Sequence, residues 1–157
     1  MAALVLPLVE AALHLPARGS LIGLDLGSKR IGVATSDPER RIATPVETIS
    51  RKQFSKDAAR ILALAAERNA VGFVLGLPVN MDGSEGPRAQ STRSFARHFS
   101  GLTPLPIALF DERLSTFEAN DILARQGIAP AKRREMIDAA AAAVILQGAI
   151  DAMAREA

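Results

Sequence analysis

Ser20–Ser36 reads SLIGLDLGSKRIGVATS: two apolar, strand-length runs, Ser20–Leu26 and Ile31–Ser36, joined by Gly27-Ser28-Lys29-Arg30, a hairpin-compatible link. Side chains alternate along a strand, so Ile22, Leu24 and Leu26 share one face, while Leu21, Gly23 and Asp25 share the other. Asp is depleted in strands, yet Asp25 stands between Leu24 and Leu26. A bare buried carboxylate is too costly, so Asp25 must be paired, metal-bound or at a solvent-open strand end. A turn-starting Asp bonded to the amides of Gly27 and Ser28 fits the pattern equally well.

Working outward, Asp37-Pro38-Glu39-Arg40 links to a third strand-length run, Ile42–Ile49. Ala58, Ile61, Leu62 and Ala65 then recur at helical spacing from about Gln53 to Arg68. Val71–Leu75 is continuously apolar, which suits a strand buried on both faces. Gly76–Pro87 is long for a structural connection. Gly86–Phe99 reads as helix and Leu105–Phe110 as a further buried strand. Ser115 with Glu118 forms a capping box, opening a helix that stops at Gly127, and a last helix runs from about Glu135 to Arg155. Two hairpins followed by strands alternating with helices predict an α/β fold: a mixed sheet with helices on both faces, in one domain over residues 1–157.

The composition narrows the function. At 157 residues, with 48% hydrophobic and 23% charged residues, the chain can bury a full core and is not disordered. The absence of Cys excludes disulfide scaffolds, Cys-ligated zinc and thiol catalysis. Of 19 basic residues 15 are Arg, the side chain that forks onto phosphates and carboxylates. A net charge of +2 does not by itself announce nucleic acid. Met1–Pro16 is broken by Pro7, Glu10, His14 and Pro16, short of the ~18 apolar residues a membrane span needs. It also lacks the basic start of a signal peptide, so no membrane partner and a cytoplasmic location are expected. Leu8, Ala11, Ala12 and Leu15 predict a short amphipathic helix within an N-terminal extension, residues 1–19.

Two further carboxylates stand out beside Asp25. Asp111-Glu112 ends the last strand, and neighbours on a strand point to opposite faces, so one of the pair can converge with Asp25. Asp138 shares a helical stripe with Ala141, Ala142 and Ile145, which puts it on the buried face. Each alone has a bland explanation, a solvated strand end or a surface ion pair. Three carboxylates on three elements would repel without a cation, and Mg²⁺ or Mn²⁺ prefers such oxygen ligands. A pair of ions ~3.5–4 Å apart would activate water and stabilise the departing oxygen in phosphodiester cleavage. Lys29-Arg30, Arg113 and Lys132-Arg133-Arg134 set cations beside each acid, where they can hold phosphates. His14 and His98 have no partner spacing. With no Trp or Tyr, recognition leans on the nucleic-acid backbone over the bases.

Four segments, GLDLGSKRIGVATSD (Gly23–Asp37), GLPVNMDGSEGPRAQ (Gly76–Gln90), DERLST (Asp111–Thr116) and IDAAAAAVILQ (Ile137–Gln147), resemble the YqgF/RuvX family of RNase H-like nucleases. The resemblance runs from about Ser20 to Ile150. It implies an RNase H-like fold with a five-stranded mixed sheet in order 3-2-1-4-5, and a magnesium-dependent nuclease. It implies maturation of the 5′ end of pre-16S ribosomal RNA or resolution of Holliday junctions, as a monomer or homodimer. Matched residue by residue, the family's acids fall on Asp25, Glu112 and Asp138, as catalytic and metal-binding residues. Related resolvases carry an acid after the fourth strand, where this chain has Asp82 and Glu85; Glu112 is kept first and Asp82 in reserve.

Rival readings are a phosphate-binding or ATPase module and a non-catalytic ribosome-assembly protein. The DLGS segment resembles the first phosphate motif of actin-like ATPases, but those duplicate the core across two domains, and no P-loop pattern is present.

Overall fold

The computed structural model describes residues 4–112, 127 and 129–156. Its centre is a six-stranded sheet of β1 (Val5–Pro7), β2 (Ser20–Leu26), β3 (Arg30–Ser36), β4 (Ala43–Ser50), β5 (Ala70–Leu77) and β6 (Ile107–Asp111). The helices are α1 (Leu8–Ala12), α2 (Phe54–Glu67), α3 (Pro87–Ser100) and α4 (Pro130–Glu156). The expected helix from Ser115 to Gly127 lies outside the described residues, apart from Gly127.

The sheet order is β1-β6-β5-β2-β3-β4. Its last five strands, numbered from Ser20 onward, are the expected 3-2-1-4-5 arrangement; β1 is an addition. The apolar spacing of the extension predicts a single helix, whereas the chain first lays Val5, Leu6 and Pro7 parallel to Ile107, Ala108 and Leu109. The physical reason is the open edge of β6: its Ile107 amide donates to the Leu4 carbonyl at 2.8 Å. Helix α1 then occupies only five residues, burying Leu8 and Ala11.

The alternation along β2 sorts the two cores. Ile22 and Leu24 face α2 and α3, in a cluster with Ile61, Leu64, Phe73 and Phe99. Phe73 and Phe99 meet edge to face with ring centroids 5.0 Å apart, and burying each ring contributes about 1.5–3 kcal/mol. Leu21 faces the opposite layer with Val74, Ala108, Phe110 and the α4 residues Ala142, Ala143 and Leu146. Asp25, in register with Leu21 and Gly23, therefore belongs to the α4 side of the sheet.

Helix α4 is the long apolar helix of the chain's described residues. Its window Met136–Arg155, with hydropathy 1.5, is long and apolar enough to cross a membrane by length and composition. Here the apolar side is spent on the sheet, with Ala139, Ala142, Leu146 and Ala149 fully covered.

Candidate active site

The strands β2, β5 and β6 run parallel and end at one edge of the sheet. The antiparallel strand β3 starts there, as do α3 and α4, so Asp25, Glu112 and Asp138 lie toward one edge of the sheet, with Lys29 and Arg30 on the adjoining hairpin. Asp25 pairs across the sheet with Gly32 of β3. A Cβ at Gly32 would run into the Asp138 carbonyl, so the missing side chain lets α4 bring Asp138 down beside Asp25. Gly76 of β5 does similar work: a Cβ there would sit 2.6 Å from Ile145 Cδ1 and 3.3 Å from Glu112 Oε2. Glu112 is in phase with Ala108 and Phe110, which face α4, so it lies on the face of Asp25. Asp111 pairs with Leu77 and belongs to the other phase.

The electrostatics bind these groups into one unit. Burial pushes the Asp25 carboxyl above its ordinary range, the charge of Asp138 raises it further, and Arg88 partly opposes both. Burial likewise raises Glu112, with added repulsion from Asp25 and Asp111 and relief again from Arg88. Asp138 has turned to Arg30, whose Nε donates to its Oδ2 at 2.7 Å. Among the described residues no three acidic or histidine side chains sit close enough to grip a metal together. The donor set is nevertheless the oxygen-only kind that suits Mg²⁺ or Mn²⁺, and the repulsion that Arg88 only partly offsets is what such an ion would relieve.

Arg88 is the residue that sequence reasoning missed. It stands in the first turn of α3, after Gly86 and Pro87, and its charge reaches both Asp25 and Glu112. The signal was present in the segment GPRAQ, where Pro at a helix start fixes which residues face the strand ends. Arg51 was also passed over; its Nη1 donates to the Gly27 carbonyl at 2.8 Å, bracing the hairpin that carries Lys29 and Arg30. Lys29 and Arg30 stand exposed at that hairpin, and Arg113 lies outside the described residues.

The loop after β5 is more ordered than its composition suggests. Asp82 Oδ1 accepts from the Ser84 amide at 2.9 Å and hydroxyl at 2.6 Å, and Glu85 takes two hydrogen bonds from Arg93. These local contacts engage Asp82 and Glu85 within the loop, whereas Glu112 feels the charge of Asp25 directly. His14 and His98 are both exposed, and His98 rests edge-on against Phe54.

The sequence model of the RuvX family, described as Holliday junction resolvase, matches residues 19–152. The chain belongs to the RuvX family. The match takes in Asp25, Arg88, Glu112 and Asp138 and begins after β1 and α1. A RuvX relative from Rhodopseudomonas palustris strain TIE-1 is 66% identical over 98% of this chain and 96% of its own, and carries the name "Putative pre-16S rRNA nuclease". A protein of the same name from Bradyrhizobium diazoefficiens is 65% identical over the same shares. Coverage this complete means the N-terminal strand and helix fall largely within a segment these RuvX relatives share.

Solved structures support the fold. RuvC of T. thermophilus in complex with a Holliday junction substrate aligns with TM-score 0.52 and 14% identity, over 86% of this chain and 96% of that one. The Fowlpox virus resolvase bound to Holliday junction DNA aligns with TM-score 0.54 and 9% identity, over 85% and 98%. The RuvX chain thus has the RNase H-like architecture of these resolvases.

Proposed function

We propose that this protein is a cation-dependent nuclease that hydrolyses phosphodiester bonds and matures the 5′ end of pre-16S ribosomal RNA. The observation that carries the chemistry is the pairing of Asp25 with Glu112 and Asp138 at one open sheet edge, ringed by Arg30 and Arg88. The substrate assignment is supported by the name of relatives about two-thirds identical over nearly the whole chain.

In this reading Asp25, Glu112 and Asp138 would hold Mg²⁺ or Mn²⁺, expected as two ions. Bound cations of this kind supply an activated water and neutralise charge at the departing oxygen. Asp138 turns away from Arg30 to join the other two acids, and Arg30 is freed to hold a phosphate. Arg88 balances the carboxylates before substrate arrives and steadies phosphate charge afterwards. Arg113, next to Glu112 in sequence, contributes a further phosphate contact. The single domain works in the cytoplasm, where precursor ribosomal RNA is made.

A Holliday junction resolvase is the second reading, favoured by the family description and by the DNA-bound neighbours. Cutting a junction symmetrically requires two sites and so a stable dimer. The test is a substrate panel: a pre-16S 5′ fragment, a four-way DNA junction and plain duplexes, each with Mg²⁺, Mn²⁺ or chelator. Cation-dependent trimming of the precursor supports the proposal. Paired nicks confined to the junction overturn the RNA assignment, and cleavage unaffected by chelator overturns the cation.

A further inference from the structure

Beside the carboxylates a cavity of about 380 Å³ opens between the β2–β3 hairpin, Arg51 in the link from β4 to α2, and the start of α3. Four cations line it, Lys29, Arg30, Arg51 and Arg88, together with the hydroxyl residues Ser28 and Ser91. Asp138 forms its border with the acidic site, and that carboxylate is already paired to Arg30. Among the described residues, no hydrogen bond or ion pair engages the side chains of Lys29 and Arg88. Arg51 is differently placed: one nitrogen anchors the hairpin carbonyl of Gly27, and its guanidinium lies 5.9 Å from the centre of the Phe95 ring. That double hold fixes the charge of Arg51 in place, which lowers the ordering cost of binding an anion.

We infer that this cavity is a phosphate subsite, which seats a backbone phosphate of an unpaired strand next to the bond being cut. The inference rests on the nuclease reading and extends it from the reacting bond to its neighbour. Among the described residues no aromatic ring lines the cavity, and those that do line it offer charge and hydroxyls to a phosphate. Its volume suits a sugar-phosphate unit. Arg88 links the two places, since it also lines a smaller cavity of about 270 Å³ with Asn80 and Glu112. A strand running from one cavity to the other passes over the acids, with Arg88 touching it on both sides. The subsite accordingly reads backbone geometry, with no sequence preference of its own.

The test measures binding of the full chain to a single-stranded RNA 12-mer in chelator across a salt series. Lys29→Gln and Arg88→Gln are compared with wild type, and Arg97→Gln, exposed near the far end of α3, serves as control. Removing one cation that neutralises a phosphate should flatten the slope of log affinity against log salt by about 0.7. The expected result is that flattening, with affinity reduced several-fold, for Lys29→Gln and Arg88→Gln and not for Arg97→Gln. Unchanged slopes in both variants, with thermal melts showing them folded, would overturn the subsite. The same flattening seen on four-way junction DNA and not on RNA would overturn both the unpaired strand and the RNA substrate.

Discussion

The carbonyl of Asp138 rests directly on Gly32, the residue that pairs with Asp25 across β2 and β3. One position without a side chain thus sets the spacing between two of the three acids. Gly32→Ala forces α4 away from the sheet or distorts β3. Overpacking of this kind costs about 1–3 kcal/mol, to be read from urea unfolding. Cleavage should fall by more than the stability loss explains, because Asp138 moves with the helix.

Arg30 separates stability from activity. Its pair with Asp138 joins side chains 56% and 27% exposed, so Arg30→Gln should change stability by less than about 1 kcal/mol. A charged hydrogen bond to phosphate is worth about 1.5–3 kcal/mol, so the rate constant for cleavage should drop about 10–100-fold. A thermal melt and a single-turnover assay on the same preparation check both halves.

The acids make an opposite prediction for stability. Asp25 and Glu112 have folded-state pKa values raised above the ordinary 3.8 and 4.5, so the folded chain binds protons more readily than the unfolded one. Their contribution to stability is therefore lost as pH rises from those ordinary values through the raised ones. Asp25→Asn removes the charge that burial opposes. At neutral pH and without divalent cations the variant should melt above wild type, and the gap should close below about pH 3.8. Glu47 and Glu85 shift the other way, held low by hydrogen bonds from Arg60 and Arg93, so only the difference between the two proteins isolates Asp25. A variant no more stable at pH 7 than wild type would contradict the repulsion described.

Much of this arrangement is legible in the sequence. Alternation in SLIGLDL places Asp25 opposite Ile22 and Leu24, and the same period lets only one of Asp111 and Glu112 join it. The stripe Asp138, Ala142, Ile145 faces the sheet for a like geometric reason. What periodicity could not show was long-range: that the edge of β6 would capture Val5–Pro7 as a sixth strand, or that Gly32 would meet a residue more than 100 positions away. Arg88 was hidden differently. In sequence it is one of 15 arginines, and only the placement of α3 against the ends of β2 and β6 gives its charge two carboxylates to serve. Composition does not show that hydrogen bonds among Asn80, Asp82 and Ser84 tie the loop Gly76–Pro87 into a compact turn.

The most direct measurement is cleavage of a pre-16S 5′ fragment by wild type and Asp25→Asn, each with Mg²⁺ or with chelator, alongside an RNA-binding assay. Wild type should trim the precursor only with the cation. Asp25→Asn should bind the RNA with near wild-type affinity while cutting at least about 10³-fold more slowly, as befits loss of a group that acts in the transition state. Undiminished turnover in Asp25→Asn, or cleavage that survives chelation, would contradict the proposed carboxylate-held cation.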